Sequence, residues 1–461
     1  MAPFSRTIFF AILVLAIAKG LVWSVVIPPW YGPDEASHYA YVQELVEDHW
    51  LARGYDPNAG IYYPREITCS ESNLGIGGSG AFRAEPPFGA PWVTCSASSP
   101  GDRHASKPNN AAGYAPVYYA PAVPFYLAAQ QLGVEARLAA VRLWSVLLGV
   151  IAAAFAYFAF RWAFPESSLL ATAATVLFVL QPMNSQQTAI VNNDALLIAV
   201  AAAFWWRFYR SLRFGLSLRE VAVLGSLAGL GYLTKPQGIF LAATLPILYL
   251  ATRQPQPMRS ELPRIARLAA AAAAPIIAGV VITAVFATLA GNGSALPASS
   301  AGAHGLQQYL SSYGSGNFER AYWLFITSFW GYFGWFQVDL PSYVFVVITL
   351  ILAAGFIGAL LLILRPSPLR PFLVASMLAV VVPAAFIMLL ELYAFRQSGL
   401  LVLQGRSFLM LLIPLSVVLI RGWQRIIHTR SAPSRLAAAI VLAATLLNVT
   451  SVAVMLEAFY G

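Results

Sequence analysis

Long apolar runs, separated by short polar or proline-bearing stretches, dominate the chain and predict membrane-crossing helices rather than alternating strands. A helix needs about 17 to 25 mostly apolar residues to cross a hydrocarbon core roughly 30 Å thick. The first such run covers residues 8 to 29. Others cover 138 to 160, 167 to 183, 194 to 210, 220 to 234, 236 to 251, 268 to 290, 342 to 364, 372 to 393, 404 to 420 and 436 to 456. The pattern therefore predicts an all-α polytopic membrane protein with about 11 transmembrane helices, in one membrane domain covering residues 1 to 461. Residues 113 to 131 are apolar enough to be another, but they carry Pro116, Pro121 and Pro124. A crossing there would move Arg161, Arg207, Arg210, Arg213 and Arg219 outside, against the tendency of positive charge to stay in the cytoplasm. That segment is laid on the outer surface. The first run is too long for a signal-peptide core and lacks an Ala-x-Ala site, which predicts an uncleaved anchor.

Two polar stretches then lie outside, residues 30 to 137 with interfacial helices and residues 291 to 341. The first holds most of the 19 acidic residues and both cysteines, Cys69 and Cys95. In an oxidising compartment these predict a disulfide, worth roughly 3 to 4 kcal/mol in the chain-entropy model; two separate thiols are the alternative. In the second stretch Tyr322, Trp323, Phe329, Trp330, Tyr332, Phe333, Trp335 and Phe336 read either as aromatics at the headgroup level or as a platform for a sugar ring or prenyl chain.

Composition agrees: 461 residues, 59% hydrophobic and only 10% charged, with a mean hydropathy of +0.68, exclude an ordinary soluble core. The net charge of +9 becomes an orientation signal rather than a sign of nucleic-acid binding. The basic loops 253 to 267, 365 to 370 and 421 to 435 all fall on the cytoplasmic side of this arrangement. Arginine far exceeds lysine and the helices are rich in alanine, as in a GC-rich bacterium, which places the chain in a bacterial plasma membrane.

Candidate chemistry follows the first crossing, in Tyr31-Gly-Pro-Asp34-Glu35-Ala-Ser-His38. Gly32 suits a helix cap, Pro33 the first helical position, and Asp34 and Glu35 the first turn, where the dipole favours carboxylates. His38 then shares a face with Asp34. Further on, Val42, Leu45, Val46 and Trp50 form an apolar stripe opposite Glu44, Glu47 and Asp48, predicting a helix that lies in the interface. Asp194 starts another helix at the same outer face, and an acid at the edge of a crossing is costly without a function. Lysines are rare: Lys107 and Lys235 stand in Lys-Pro steps near the outer face, and Lys19 lies inside the first crossing with no account from the pattern. Lys235, and Arg406 in Gln404-Gly405-Arg406, suit a phosphate or simply snorkel to the interface. The spacing Asp34-Glu35-x-x-His38 lacks the second histidine of a zinc protease.

The acidic pair after the first helix resembles the GT-C superfamily of integral-membrane glycosyltransferases, as do Lys107-Pro with Tyr114-Ala-Pro-Val-Tyr118-Tyr119, Arg137 and Arg142 opening the next crossing, and Pro182 ahead of Asp194. More closely, Pro33-Asp-Glu-x-x-His38, Ser328-Phe-Trp-Gly-Tyr-Phe-Gly-Trp335 and Gln404-Gly-Arg406 resemble an uncharacterised family of bacterial polytopic proteins grouped with it. The resemblance implies inverting transfer of a sugar from a polyprenyl-phosphate donor to a glycan, lipid or protein acceptor at the extracytoplasmic face. It makes Asp34 the general base with Glu35 beside it, Asp194 the second-loop acid that orients acceptor or base, and His38 and Gln404 supporting residues. Lys107, Arg406, Lys235 and Arg396 would share the donor phosphate, although the second proline of the family's Lys-Pro-Pro is Asn109 here. Metal dependence differs among branches of the superfamily; two acids and a histidine could hold a divalent ion, and the reading adopted is no metal and no other cofactor. A transporter or flippase for a lipid-linked saccharide is the competing class, and the long outer loop and lack of a pairwise repeat count against it. For the predicted disulfide, a mobility change on a non-reducing gel that disappears in Cys69→Ser is the expected result.

Overall fold

The computed structural model describes residues 5–49, 63–74, 100–104, 109–253, 258–289, 305–313, 318–335, 337–399, 401–427 and 432–461. Helix α1 (Arg6–Val26) begins where the Ser5 hydroxyl accepts the Ile8 amide, an N-cap. The first polar stretch contributes α2 (Glu35–Glu47), α3 (Arg65–Asn73) and α4 (Val123–Ala128). Residues 113 to 131 break at their prolines into short turns, of which α4 is the longest, and form no crossing. The bundle continues with α5 (Val134–Ala163), α6 (Ser168–Leu180), α7 (Pro182–Gln187), α8 (Asp194–Phe214) and α9 (Leu218–Thr234). A 3-10 segment, Pro236–Thr244, runs into α10 (Leu245–Thr252), followed by α11 (Met258–Leu289). The second polar stretch supplies α12 (Leu306–Tyr313), α13 (Phe318–Tyr322), α14 (Ser328–Trp330) and an antiparallel hairpin of β1 (Tyr332–Phe333) with β2 (Val338–Asp339). Helices α15 (Ser342–Leu364), α16 (Arg370–Ser398), α17 (Leu412–Ile426, entered through the 3-10 segment Gly405–Leu411) and α18 (Ala432–Tyr460) complete the chain.

Among the described residues, eight helices are long and apolar enough to cross a membrane, rather than the eleven expected. The other three ranges are helical but short. Helix α6 ends after 13 residues because Gln181-Pro182 stops it and starts α7. Helix α9 has 17 residues, and the stretch after Lys235 takes up nine in its 3-10 segment.

The ends of the bundle differ in charge. Helix α8, 21 residues and so roughly 30 Å long, carries Asp194 at one end and Arg213 at the other. Arg213 Nε donates to the Trp162 carbonyl at 2.7 Å, and Arg421 reaches the Ala163 carbonyl at 2.6 Å and pairs with Glu166. The arginine-rich turns therefore gather at the end remote from Asp194.

One expectation fails through burial. Helix α2 is enclosed on nearly all sides instead of lying along an interface: Gln43 donates to Glu66 and to the Arg103 carbonyl, and Asn109 donates to Glu44, so the rest of the loop covers its polar face. The aromatic segment is buried in part. Phe329, Trp330 and Phe333 are buried, Phe333 packs edge-on to Trp23, and Trp335 donates to the Trp30 carbonyl at 3.3 Å. This segment braces the loop that carries Asp34. Cys69 sits on α3, while Cys95, Trp50 and Phe336 lie outside the described residues.

One buried arginine joins these pieces. Arg142 of α5 uses its five N–H donors on both oxygens of Glu35, at 2.8 and 2.6 Å, and on the carbonyls of Ser24, Ile27 and Pro28 at 2.7 to 2.9 Å. Glu35 also accepts the Val191 amide at 2.9 Å, so the end of α1, the start of α2, α5 and the turn before α8 meet at one ion pair. Arg142→Met should leave Glu35 buried and unpaired at a cost of about 3–5 kcal/mol, while Glu35→Met with Arg142→Met should recover much of it. Thermal unfolding of the detergent-solubilised variants measures both.

Candidate active site

Asp34 precedes α2 with φ 64° and ψ 9°, a left-handed conformation that costs an ordinary residue roughly 1–2 kcal/mol and that aspartate tolerates better than most. It therefore does not sit in the first helical turn, and its carboxylate caps no amide. The Glu35 amide donates to the Gly32 carbonyl at 3.0 Å and Asn192 Nδ2 to the Pro33 carbonyl at 3.1 Å, which holds the turn. The Asp34 side chain, 42% exposed, meets Arg406 Nη2 at 2.6 Å. Arg406 Nε stands 3.9 Å from Asp194 Oδ2, and Lys235 Nζ donates to Asp194 Oδ1 at 2.6 Å. Asp34, Arg406, Asp194 and Lys235 thus form a chain of alternating charge with no net charge.

Asp34, Arg406 and Lys235 face a cavity of about 220 Å³, walled also by Ser37, His38, Ala111, Tyr114, Gln237, Val402, Gln404 and Ser407. This is several times the ~30 Å³ share of one water. Asp194 is buried behind the wall and reaches it through the two cations.

Consecutive residues of one turn set these positions. Asn192 bonds the Pro33 carbonyl and, through Oδ1, accepts the Asp194 amide at 2.9 Å; Asn193 Nδ2 donates to the Thr234 carbonyl at 2.9 Å, one residue before Lys235. The Asn192 amide donates to the Tyr118 hydroxyl at 3.1 Å. On the opposite wall, the Leu403 amide donates at 2.8 Å to Glu391, which Arg320 pairs at 3.1 Å and which also accepts the Tyr309 and Tyr313 hydroxyls.

Burial pushes the Asp34 carboxyl up, but the adjacent Arg406 charge more than offsets this and holds it below its ordinary value. His38 Nδ1 lies 2.7 Å from the Tyr119 hydroxyl, its ring stacked near Tyr114 and Tyr119, and burial lowers its pKa to about 4. The imidazole is neutral at pH 7, a hydrogen-bonding wall rather than a third cation.

The site thus brings together Asp34, Asp194, Arg406, Lys235, His38 and Gln404. Glu35 is absent from it, with both oxygens held by Arg142, so the adjacent acids have separate tasks. Arg396 is exposed near the end of α16 and does not line the cavity. Lys107 lies outside the described residues. Lys19, unexplained in the sequence, is buried and donates to Thr188 Oγ1 at 2.8 Å. Ser37, Gln237 and Ser407 carry no signal beyond adjacency to the motifs, and Asn192 and Asn193 could have been noticed as polar neighbours of Asp194 at a helix start. Among the described residues no group of three His, Cys, Asp or Glu side chains is placed to hold a metal ion. The carboxylates of Asp34 and Asp194 engage cations, and His38 Nδ1 engages the Tyr119 hydroxyl.

Among solved structures, the chain is similar to the crystal structure of ArnT from Cupriavidus metallidurans bound to undecaprenyl phosphate, with a TM-score of 0.47 and 14% identity over 96% of this chain and 76% of that one. It is also similar to the cryo-EM structure of the arabinosyltransferase EmbB from Mycobacterium smegmatis, with a TM-score of 0.44 and 12% identity over 99% of this chain and 42% of that one. No curated protein matches the sequence. Residues 17 to 419 match the family described as a predicted membrane protein, DUF2142, and the chain belongs to that family.

Proposed function

We propose that the protein is a glycosyltransferase that moves a sugar from a polyprenyl-phosphate donor to a cell-envelope acceptor, with inversion, at the extracytoplasmic face of the bacterial plasma membrane. The observation that carries this reading is one cavity, at the end of the bundle away from the arginine-rich turns, holding one accessible carboxylate and two cations. The resemblance to GT-C enzymes of the acidic pair Asp34-Glu35 after the first helix, of Lys107-Pro with the Tyr114 to Tyr119 segment, and of Pro182 ahead of Asp194 supports it.

In the proposed step an acceptor hydroxyl oxygen attacks the anomeric carbon as the bond to the phosphate oxygen breaks. The bonding pair leaves with the polyprenyl phosphate, and Asp34 takes the hydroxyl proton. A general base must be ionised and within hydrogen-bond reach of its proton. The Arg406 field favours the first, and the exposure of Asp34 to the cavity permits the second. Arg406 and Lys235 oppose the charge that gathers on the departing phosphate; in a partly dry site such fixed cations act strongly. Asp194 keeps both cations in place. Lys107 is a further phosphate ligand on the strength of the motif alone. The acceptor is a glycan, a lipid or a protein, and no step here passes through a metal.

Asp34→Asn should lower turnover by about 10²- to 10⁴-fold and leave donor binding intact; unchanged product formation by the purified variant overturns the assignment. The acid limb of the pH–rate profile should lie below the ordinary carboxylate range, because the Asp34 pKa is depressed and the ionised base survives acidification. Arg406→Met removes the largest charge that opposes burial, so that limb should move to higher pH while donor affinity falls. Rates followed from pH 3 to 8 with a labelled polyprenyl-phosphate sugar test the direction.

A further inference from the structure

Among the described residues, two amides on the cavity wall have a side-chain carbonyl with no hydrogen-bond partner. Gln237 and Gln404 each stand two residues from a cation of the site, Lys235 and Arg406, and line the same cavity. The side-chain carbonyl of each is buried and unpartnered. Leaving such a group unsatisfied costs about 1–3 kcal/mol, so two of them at one cavity call for a ligand that answers both.

The backbone beside each amide is clamped. Gly238 follows Gln237, and a Cβ there would stand 2.2 Å from the Gly231 carbonyl carbon; Gly405 follows Gln404, and a Cβ there would stand 2.3 Å from the Phe329 nitrogen. Only glycine allows these approaches. Both amide-bearing segments are therefore positioned before any ligand arrives, which lowers the ordering cost of binding.

The chemistry of the wall selects the ligand. The charged groups already neutralise one another in a chain, and the remaining polar lining is uncharged: two amides, the hydroxyls of Ser37 and Ser407, and neutral His38. An amide offers a carbonyl acceptor and two N–H donors, the complement of a hydroxyl, which both donates and accepts. On the transferase reading, from which this follows, the ring attached to a phosphate held by Arg406 and Lys235 is the part of the donor that falls within reach of their neighbours. We infer that Gln237 and Gln404 read hydroxyl groups of the transferred sugar, and that this sugar is uncharged and polyhydroxylated.

Binding to the purified full-length protein in lipid nanodiscs, followed by quenching of its tryptophans, tests this with decaprenyl phosphate alone and with decaprenyl-phosphate mannose, glucose, galactose and arabinose as probes. At least one sugar-bearing carrier should bind ~10-fold or more tightly than the bare carrier, and a deoxy form of that sugar should lose the advantage. Gln237→Met and Gln404→Met keep side-chain length and lose the hydrogen bonds. Each should remove most of the preference while leaving the affinity for decaprenyl phosphate unchanged, which also shows that the variant is folded. A preference that survives both substitutions overturns the inference, as does a wild-type protein that binds the bare carrier but gains nothing from any sugar or from its hydroxyls. Bare carrier that fails to bind, or that binds equally well to Arg406→Met, overturns the phosphate reading itself and this one with it.

Discussion

The frame of the site depends on a buried guanidinium and carboxylate that bind each other and the backbone around them in an apolar interior. Arg142 and Glu35 are both buried, and the arginine also gathers three carbonyls where α1 ends. A buried ion pair is weak evidence for net stability, since desolvation consumes much of the Coulombic gain. Its effect here is on geometry. A bidentate pair with every N–H engaged tolerates one arrangement of its neighbours, and residues 28 to 35 must run where those carbonyls and that carboxylate can reach Arg142. Asp34 emerges from this constraint on the cavity side.

The second constraint is neutrality. Asp34, Arg406, Asp194 and Lys235 alternate in sign, so each charge has an opposite neighbour and the set carries none overall. An isolated charge at such a depth would be expelled or neutralised. Charge alternation lets two cations wait at the edge of a membrane bundle without an anion bound. In the transfer proposed above, an entering phosphate competes with Asp34 and Asp194 for cations already in place, which weakens the hold of Arg406 on Asp34.

Much of this was legible in the sequence, and the failures have physical causes. Asp194, Lys235 and Arg406 were recognisable because charged residues at the ends of apolar runs are expensive unless used. The two neighbouring acids were not separable, since adjacent residues in a helix start point in different directions and the pattern cannot say which meets a cavity. Arg396 was expected to share the donor phosphate, yet α16 continues to Ser398 and leaves it exposed, outside the cavity lining. Fewer helices reach the length of a crossing than hydropathy predicts, because hydropathy cannot see where Gln181-Pro182 ends a helix or where residues 236 to 244 wind as 3-10. The stripe on α2 was real, but its polar side faces other parts of the same loop, and periodicity reports polarity rather than exposure.

The left-handed backbone at Asp34 resolves how two consecutive carboxylates came to serve two purposes. Had residue 34 continued the α conformation of α2, its side chain would lie about 100° around the helix from Glu35, given 3.6 residues per turn, and both would face protein. The positive φ turns the chain before the helix begins, so Glu35 points inward to Arg142 and Asp34 outward to Arg406. Strain of this kind persists only where the surroundings over-determine it. They do so here: Asn192 and Arg406 both bind the Pro33 carbonyl, Glu35 is tied to Arg142 on the other side, and the hairpin segment braces the loop through Trp335. Each of those contacts comes from an element that also bears on the site, so the energy that holds the turn and the energy that places Asp34 against Arg406 are the same interactions.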